Sequence, residues 1–458
     1  MTSPVTLQRR LGPGDAAAVV VSNVIGGGIL FVPIFVAQLA PAPWAILGIW
    51  ATGGLLAFAG AMSYAELAAL RPRSGGEYVY LREAFGPVVA FLTGWTSFVA
   101  GFSGAIAASA VGFANYLGRF VPFAGDRTPW LEIHLGPLTP TLSPQSLIAL
   151  VLIAALSFVH ILGLGPGRIV QNVLASVKVI ALLAFVAAGL TIGHGSWSNF
   201  SGGGSGVTTS GWLLALVPVM FSYAGWNAAA YIAEEIRDPG RNVPRALALG
   251  TTAVVLVYLA INVVYLYALP VSRLMSLQGG VRIVDAAADT LFGAFAGNLM
   301  ALVTLLISAG SISAMVLAGP RVYYAMARDG LFLKSASHVH PAWRTPAASI
   351  VAQAVWSGVL VVSGSFEQLA NYTGFAIMLF GAIAVTSLFV LRRRFPDEPR
   401  PFRALGYPVA PGLFAIVCYA AAINAILRTP ATSATGLGII LLGVPIYYAI
   451  RRKPVTTE

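Results

Sequence analysis

Apolar residues run along this chain in blocks of roughly 20, the number a helix needs to cross the hydrocarbon core of a bilayer. The blocks are bounded by charge, proline or glycine clusters. They fall near 15–40, 43–70, 87–118, 146–162, 168–192 and 211–235, then near 243–269, 296–328, 346–362, 367–391, 408–427 and 434–450. The pattern predicts an all-α polytopic membrane protein of twelve transmembrane helices. A short polar arm, 1–14, carries Arg9 and Arg10 and leads straight into the first block without the layout of a cleavable signal, so the first helix is expected to stay as an anchor.

Composition agrees. Of 458 residues, 57% are hydrophobic and only 9% charged, against about 25% charged in a soluble domain. A soluble enzyme with so few charges could not cover its own surface. The net charge of +11 would suit a nucleic acid if it were clustered, but it is sorted by the spans instead. With both termini on one side, 21 of the 27 basic residues lie on that side; Arg119, Arg127, Arg273, Arg282 and Arg428 lie on the other, and Lys178 is within a span. By the positive-inside rule both termini are cytoplasmic, in a cell (inner or plasma) membrane. No nucleic-acid partner is expected. Cys418 is the only cysteine and sits inside an apolar block, so no part of the fold depends on an internal disulfide.

The blocks repeat. Spans 1 and 6 are interrupted near 27 and 225, spans 2 and 7 start near 43 and 243, and spans 4 and 9 start near 146 and 346. A constant offset near 200 residues implies two five-helix units, 15–192 and 211–391. Because five is odd, the second unit enters the membrane from the opposite face and the repeat is inverted. Residues 408–450 add helices 11 and 12, and 451–458 form a cytoplasmic tail.

The two interruptions are the candidate site. Span 1 reads Val24, Ile25, Gly26, Gly27, Gly28, and span 6 reads Phe221, Ser222, Tyr223, Ala224, Gly225, Trp226, Asn227. Glycines at mid-membrane can serve close helix packing, but matching breaks in two repeats point to a binding site. Irregular backbone persists at that depth only where protein or a watery cavity satisfies it. Half-helices starting near Gly28 and Trp226 would present N–H groups to a carboxylate, and the opposing carbonyl ends would face an ammonium. Such a pocket matches the zwitterionic head of an α-amino acid. Ser222, Ala224 and Gly225 leave a small wall, and Phe221 is either an aromatic gate or a lipid-facing side chain.

Lys178 lies about ten residues into span 5, about 15 Å deep. The acids associated with spans, Asp15, Glu66, Glu234, Glu235 and Glu367, all fall near helix ends. The ammonium is therefore expected to hold carbonyls freed at the first break, with a hydroxyl such as Ser308 or Ser311 of span 8. It either replaces a bound sodium ion or exchanges a proton. A cavity without carboxylates favours a neutral side chain over a cationic substrate.

These residues resemble the amino acid-polyamine-organocation (APC) superfamily, in its L-amino acid transporter branch. The break at 26–28 is similar to that family's first-helix motif, with Gly27 where Ser often stands. Phe221–Asn227 resembles its sixth-helix break, and Glu234-Glu235, RDPGRNVPRA at 237–246, SYAELAALRPRSGGEY at 63–78, REAFGPVVAFLTGW at 82–95 and LRRRFPDEPRPFRALGYPV at 391–409 extend the match over most of the chain. The resemblance implies a fold of five plus five inverted helices with two more, alternating access, and sodium-independent transport of neutral L-amino acids. Exchange (antiport) ranks ahead of proton-coupled symport. It further implies Lys178 as the lysine that stands in for sodium, Ser311 as its partner and Phe221 as the outer gate. Animal members join an accessory glycoprotein through a cysteine in the loop after span 3. That loop, about 119–145, has none here, so no disulfide-linked subunit is expected.

Other classes find less support. No Walker-type Gly-Lys-Ser/Thr run occurs, which disfavours an ATP-driven pump. Of His134, His160, His194, His338 and His340 only His160 lies in a span, so neither a metal nor an acid–base cluster is placed at depth. No cofactor is expected. A channel or nutrient receptor of the same fold remains compatible with broken helices alone.

Overall fold

The computed structural model describes residues 6–134, 139–201, 206–277, 282–294, 296–364 and 366–450, with side chains at 366–375 left aside. The tail 451–458 and the Glu367 side chain lie outside the described residues. The fold is helical: α1 (Pro13–Val24), α2 (Gly28–Leu39), α3 (Pro43–Leu70), α4 (Glu77–Phe85), α5 (Pro87–Leu117), α6 (Pro144–Ile161), α7 (Leu164–Thr191) and α8 (Thr209–Ser222). Then come α9 (Ala228–Tyr231), α10 (Pro239–Ala268), α11 (Ala296–Arg328), α12 (Ala347–Ser363), α13 (Phe366–Arg394), α14 (Val409–Arg428) and α15 (Pro430–Ile450). A two-residue ribbon in the loop after α5 is the strand pair found among the described residues.

Many helices open on proline: Pro13, Pro43, Pro87, Pro144, Pro239 and Pro430 occupy the first turn. The missing N–H costs nothing there, and the fixed φ suits a helix start. Nine of the described helices are long and apolar enough to cross a membrane, and α1 with α2 forms a tenth unit bent by 50°. The helices α8 and α12 are apolar but shorter; they fall on the sixth and ninth predicted spans.

Burial is inverted relative to a soluble protein. Leu55, Val409 and Leu427 are 70%, 74% and 75% exposed, while Lys178, Glu66, Glu235 and Arg321 are buried. Lipid takes the outer apolar surface and the polar groups turn inward to one another. The most enclosed span is α11, with 78% of its apolar window buried. It packs on α5, α7 and α1, while α10 packs on α3 and α1, so the broken helix α1/α2 lies among these elements.

Candidate functional site

The first break lies between Val24 and Gly28, and its three glycines meet different surroundings. A Cβ on Gly28 would lie 2.9 Å from the Ser222 Cα, so at this point the backbones of the two breaks touch. At Gly26 a Cβ would meet the Ser311 hydroxyl at an ordinary 3.5 Å, and at Gly27 its nearest neighbour is the Phe31 ring at 4.0 Å. Gly28 alone of the three is demanded by close approach. In the second break Gly225 has a φ of +106°, in the region that favours glycine, and a Cβ there would meet Asn23 Nδ2 at 2.6 Å. The Asn23 amide donates to the Gly225 carbonyl at 3.3 Å, tying one break to the other.

Tyr258 of α10 reinforces that tie. Its hydroxyl lies 2.9 Å from the Val24 carbonyl and 3.3 Å from that of Ser222, the last residues of α1 and α8. Its ring stacks edge-on against Trp50 beside Tyr223, whose hydroxyl donates to the Trp50 carbonyl at 3.1 Å. Carbonyls at the end of a half-helix carry partial negative charge and need donors, which a phenol on a neighbouring rigid helix supplies.

The donors at the breaks are left open. Among the described residues no acceptor meets the backbone N–H of Gly27, Gly28 and Ile29, or of Gly225, Trp226 and Asn227. Two sets of free N–H groups at contacting breaks are the donors that a carboxylate cradle would need. Gly27 and Phe221 are exposed, Phe221 to 49%. The second half-helix starts at Ala228 rather than near Trp226 and lasts one turn, because Gly225 with its positive φ extends the unwound stretch.

Two predicted contact side chains point elsewhere. The buried Ser222 hydroxyl donates back to the Pro218 carbonyl at 3.0 Å, within its own helix. Asn227 gives its amide to the Tyr231 hydroxyl at 3.0 Å and to a Glu77 oxygen at 3.4 Å, and Tyr231 donates to the other Glu77 oxygen at 2.8 Å. Asn227 thus joins the second break to the loop helix α4. Its backbone N–H stays among the free donors.

Lys178 is fully buried on α7, with Nζ 2.9 Å from the Ile25 carbonyl, 3.1 Å from that of Ser22 and 3.4 Å from the Ser311 hydroxyl. The Ser311 oxygen is itself 3.2 and 3.1 Å from the same two carbonyls. Three ammonium donors meet three oxygens where α1 unwinds, and the negative end of that half-helix stabilises the cation. Ser308, one turn before Ser311, is half-buried and makes no hydrogen bond to Lys178. Gly310 makes room for the lysine: a Cβ there would stand 3.0 Å from Lys178 Cε.

On the side of the termini the breaks are held by ions and backbone. Glu235 and Arg321 form a buried bidentate pair at 2.7 and 3.1 Å. The N–H groups of Arg10 and Leu11 donate to the Glu235 carbonyl, and Arg237 N–H donates to that of Leu11. Glu66, at the end of α3, accepts from Arg392, Arg400 and the Ala404 N–H. His160 pairs with Ser313, 2.9 Å away, and the described residues hold no group of three or more potential metal ligands.

The sequence gives no cue to Tyr258, Asn23, Gly310, Glu77 or Arg321. Each is a common residue type in a helix or loop, and its role comes from a contact far along the chain.

Comparison with known proteins fits this arrangement. A family model described as amino acid permease matches residues 11–450. The chain is 27% identical to the serine/threonine exchanger SteT of Bacillus subtilis over 98% of both chains. It is 28% identical to the human large neutral amino acids transporter small subunit 2, over 97% of this chain and 81% of that one. With the mouse b(0,+)-type amino acid transporter 1 the figures are 29%, 87% and 79%. The chain therefore belongs to the amino acid permease family of the APC superfamily and is a multi-pass membrane transporter of amino acids, not an enzyme.

Proposed function

We propose that this protein is a sodium-independent exchanger of neutral L-amino acids, working by alternating access. The observation that carries this reading is the Lys178 ammonium on the Ser22 and Ile25 carbonyls, beside two sets of free backbone N–H groups. A fixed cation already occupies the oxygens a metal cation would need, and the free donors are left for a carboxylate. The names of two relatives, a serine/threonine exchanger and a large neutral amino acids transporter, support exchange and neutral cargo.

The reading has twelve spans, with α1/α2 and α8/α9 as the broken helices of two inverted units, 15–192 and 211–391. Both termini face the cytoplasm of a plasma or inner membrane. Phe221 gates the pocket from the other side. The transporter works without a disulfide-linked partner, since its one cysteine, Cys418, is buried in α14.

Proton-coupled symport is the second reading. It draws on the absence, among the described residues, of any carboxylate paired with the buried Lys178: an ammonium held only by neutral oxygens can give up its proton. Purified protein in liposomes separates the two. Exchange expects unlabelled serine or leucine inside to accelerate uptake of the labelled amino acid, with no dependence on sodium. Symport expects an inward proton gradient to drive uptake into empty vesicles. A response to neither removes both.

A further inference from the structure

Outside the transport site, a groove of about 730 Å³ opens on the side of the termini between α3, the start of α10 and the loop at 401–405. Its polar end holds Arg241 and Arg245, and its apolar part includes Phe58, Phe402 and Leu405. The two arginines stand one turn apart, a spacing at which like charges repel. Neither makes an ion pair or a side-chain hydrogen bond among the described residues, although Arg71, Arg82, Arg168, Arg321, Arg328, Arg392 and Arg400 on the same side are all paired. Asp238 also lines the groove, outside ion-pair distance of both. The polar end thus keeps one net positive charge and ten guanidinium N–H donors, two sets of five.

The exposed face of α10 shows what such an end would meet. Exposed positions run Arg241, Arg245, Leu249, Thr252, Leu256, at steps of three or four residues, so they form one stripe along the helix. Leu249 and Leu256 are 60% and 62% exposed. At about 1.5 Å per residue the arginines lie about 6–22 Å beyond these leucines along the axis. Leu55 of α3, 70% exposed, lies one turn from Phe58, so the apolar part of the groove continues onto surface that faces lipid. Cation first and hydrocarbon below it, on one continuous face, is the complement of a phospholipid with a negative headgroup.

We propose that this groove binds an anionic phospholipid of the leaflet on the side of the termini, its phosphate on Arg241 and Arg245 and an acyl chain against Phe58 and Phe402. The site involves neither break and stands whatever the cargo is.

The test uses the full-length protein in detergent, offered phosphatidylglycerol and phosphatidylcholine in equal amounts. Bound lipid is counted by native mass spectrometry, and the melting temperature is followed in parallel. The wild type is expected to retain phosphatidylglycerol in preference to phosphatidylcholine and to melt higher with it. The R241Q/R245Q double variant loses both effects, whereas Arg393→Gln, an exposed arginine outside the groove on the same side, keeps them. Ala248→Trp, which fills the groove without touching its charge, also loses them. Should the wild type retain both lipids equally, the site is refuted without any variant. Equal loss in Arg393→Gln reduces the effect to general surface charge and overturns it, as does inorganic phosphate raising the melting temperature as much as the lipid.

Discussion

At the scale of single residues, neighbouring glycines of one motif are not equivalent. Gly28 faces the Ser222 backbone, whereas a Cβ on Gly27 would meet only the edge of the Phe31 ring, at an ordinary 4.0 Å. Gly28→Ala should therefore part the two breaks, costing about 1–3 kcal/mol of overpacking, with transport falling at least tenfold. Gly27→Ser should fold and melt as the wild type does and add a hydroxyl to the cradle, changing the apparent affinity for substrate more than the maximal rate. Uptake kinetics and melting curves of the two variants check this, and equal damage from both would refute the assignment. Glu77 supplies a second residue-scale prediction. Burial in the loop raises its carboxyl from 4.5 to about 7, while Tyr231 and Asn227 offset part of that rise. The folded protein thus holds a proton that the unfolded chain has released between pH 4.5 and 7. Stability then falls as pH rises through that window and levels off above it. Glu77→Gln keeps an acceptor for Tyr231 but cannot ionise, so the melting temperature should lose this part of its decline between pH 5 and 7, on the order of 2–3 kcal/mol of linkage.

At the scale of elements, α7 and α11 meet the end of α1 through Lys178, Ser311 and Gly310. Removing Lys178 as Lys178→Met leaves the Ser22 and Ile25 carbonyls without their ammonium, and Ser311 can satisfy only one of them at a time. Transport should be abolished, while sodium, which finds vacated oxygens, should raise the melting temperature of this variant and not of the wild type. No sodium effect in either would leave the lysine a packing role only. Ser311→Ala removes one of three acceptors and should cost about 1–3 kcal/mol, with transport slowed and not lost. Sequence makes this cluster half-legible. A lone lysine at mid-membrane and a glycine run are local signals, and both lead to the site. Helical periodicity puts Ser308 and Ser311 on nearly the same face, and only the depth of α11 against α7 selects Ser311. Tyr258 carries no local signal at all, since its hydroxyl matters through the Val24 carbonyl, 234 residues away. Asn227 misleads for the opposite reason: it is adjacent to the break in sequence, yet the single turn of α9 directs its side chain to Glu77 on α4.

At the scale of the molecule, charge is arranged unevenly across the membrane. Arg71 with Glu83 and Glu398, Arg82 with Asp329, Arg168 with Asp15, Arg321 with Glu235, Arg328 with Glu234, and Arg392 and Arg400 with Glu66 all lie on the side of the termini. The N-terminal arm adds backbone bonds to residues 235–237 there. On the opposite side Arg119–Asp285 is the one ion pair among the described residues, at 3.4 Å and partly exposed, where such a pair contributes little. A carrier that alternates must have one side fastened while the other gives access to the site, and under the proposed alternating access this distribution marks the side of the termini as the fastened one. The proposed gate Phe221, with Gly27, both exposed, would then line an aqueous entry from the far side. Cysteine labelling tests it cleanly, because the native Cys418 is only 1% exposed and stays silent to a membrane-impermeant maleimide. Phe221→Cys should react with that reagent from the face opposite the termini, and saturating amino acid should slow the reaction as the pocket fills. A thiol at 221 that faces lipid would react from neither side, and one reached only from the side of the termini would mean that the paired arginines do not mark the closed end.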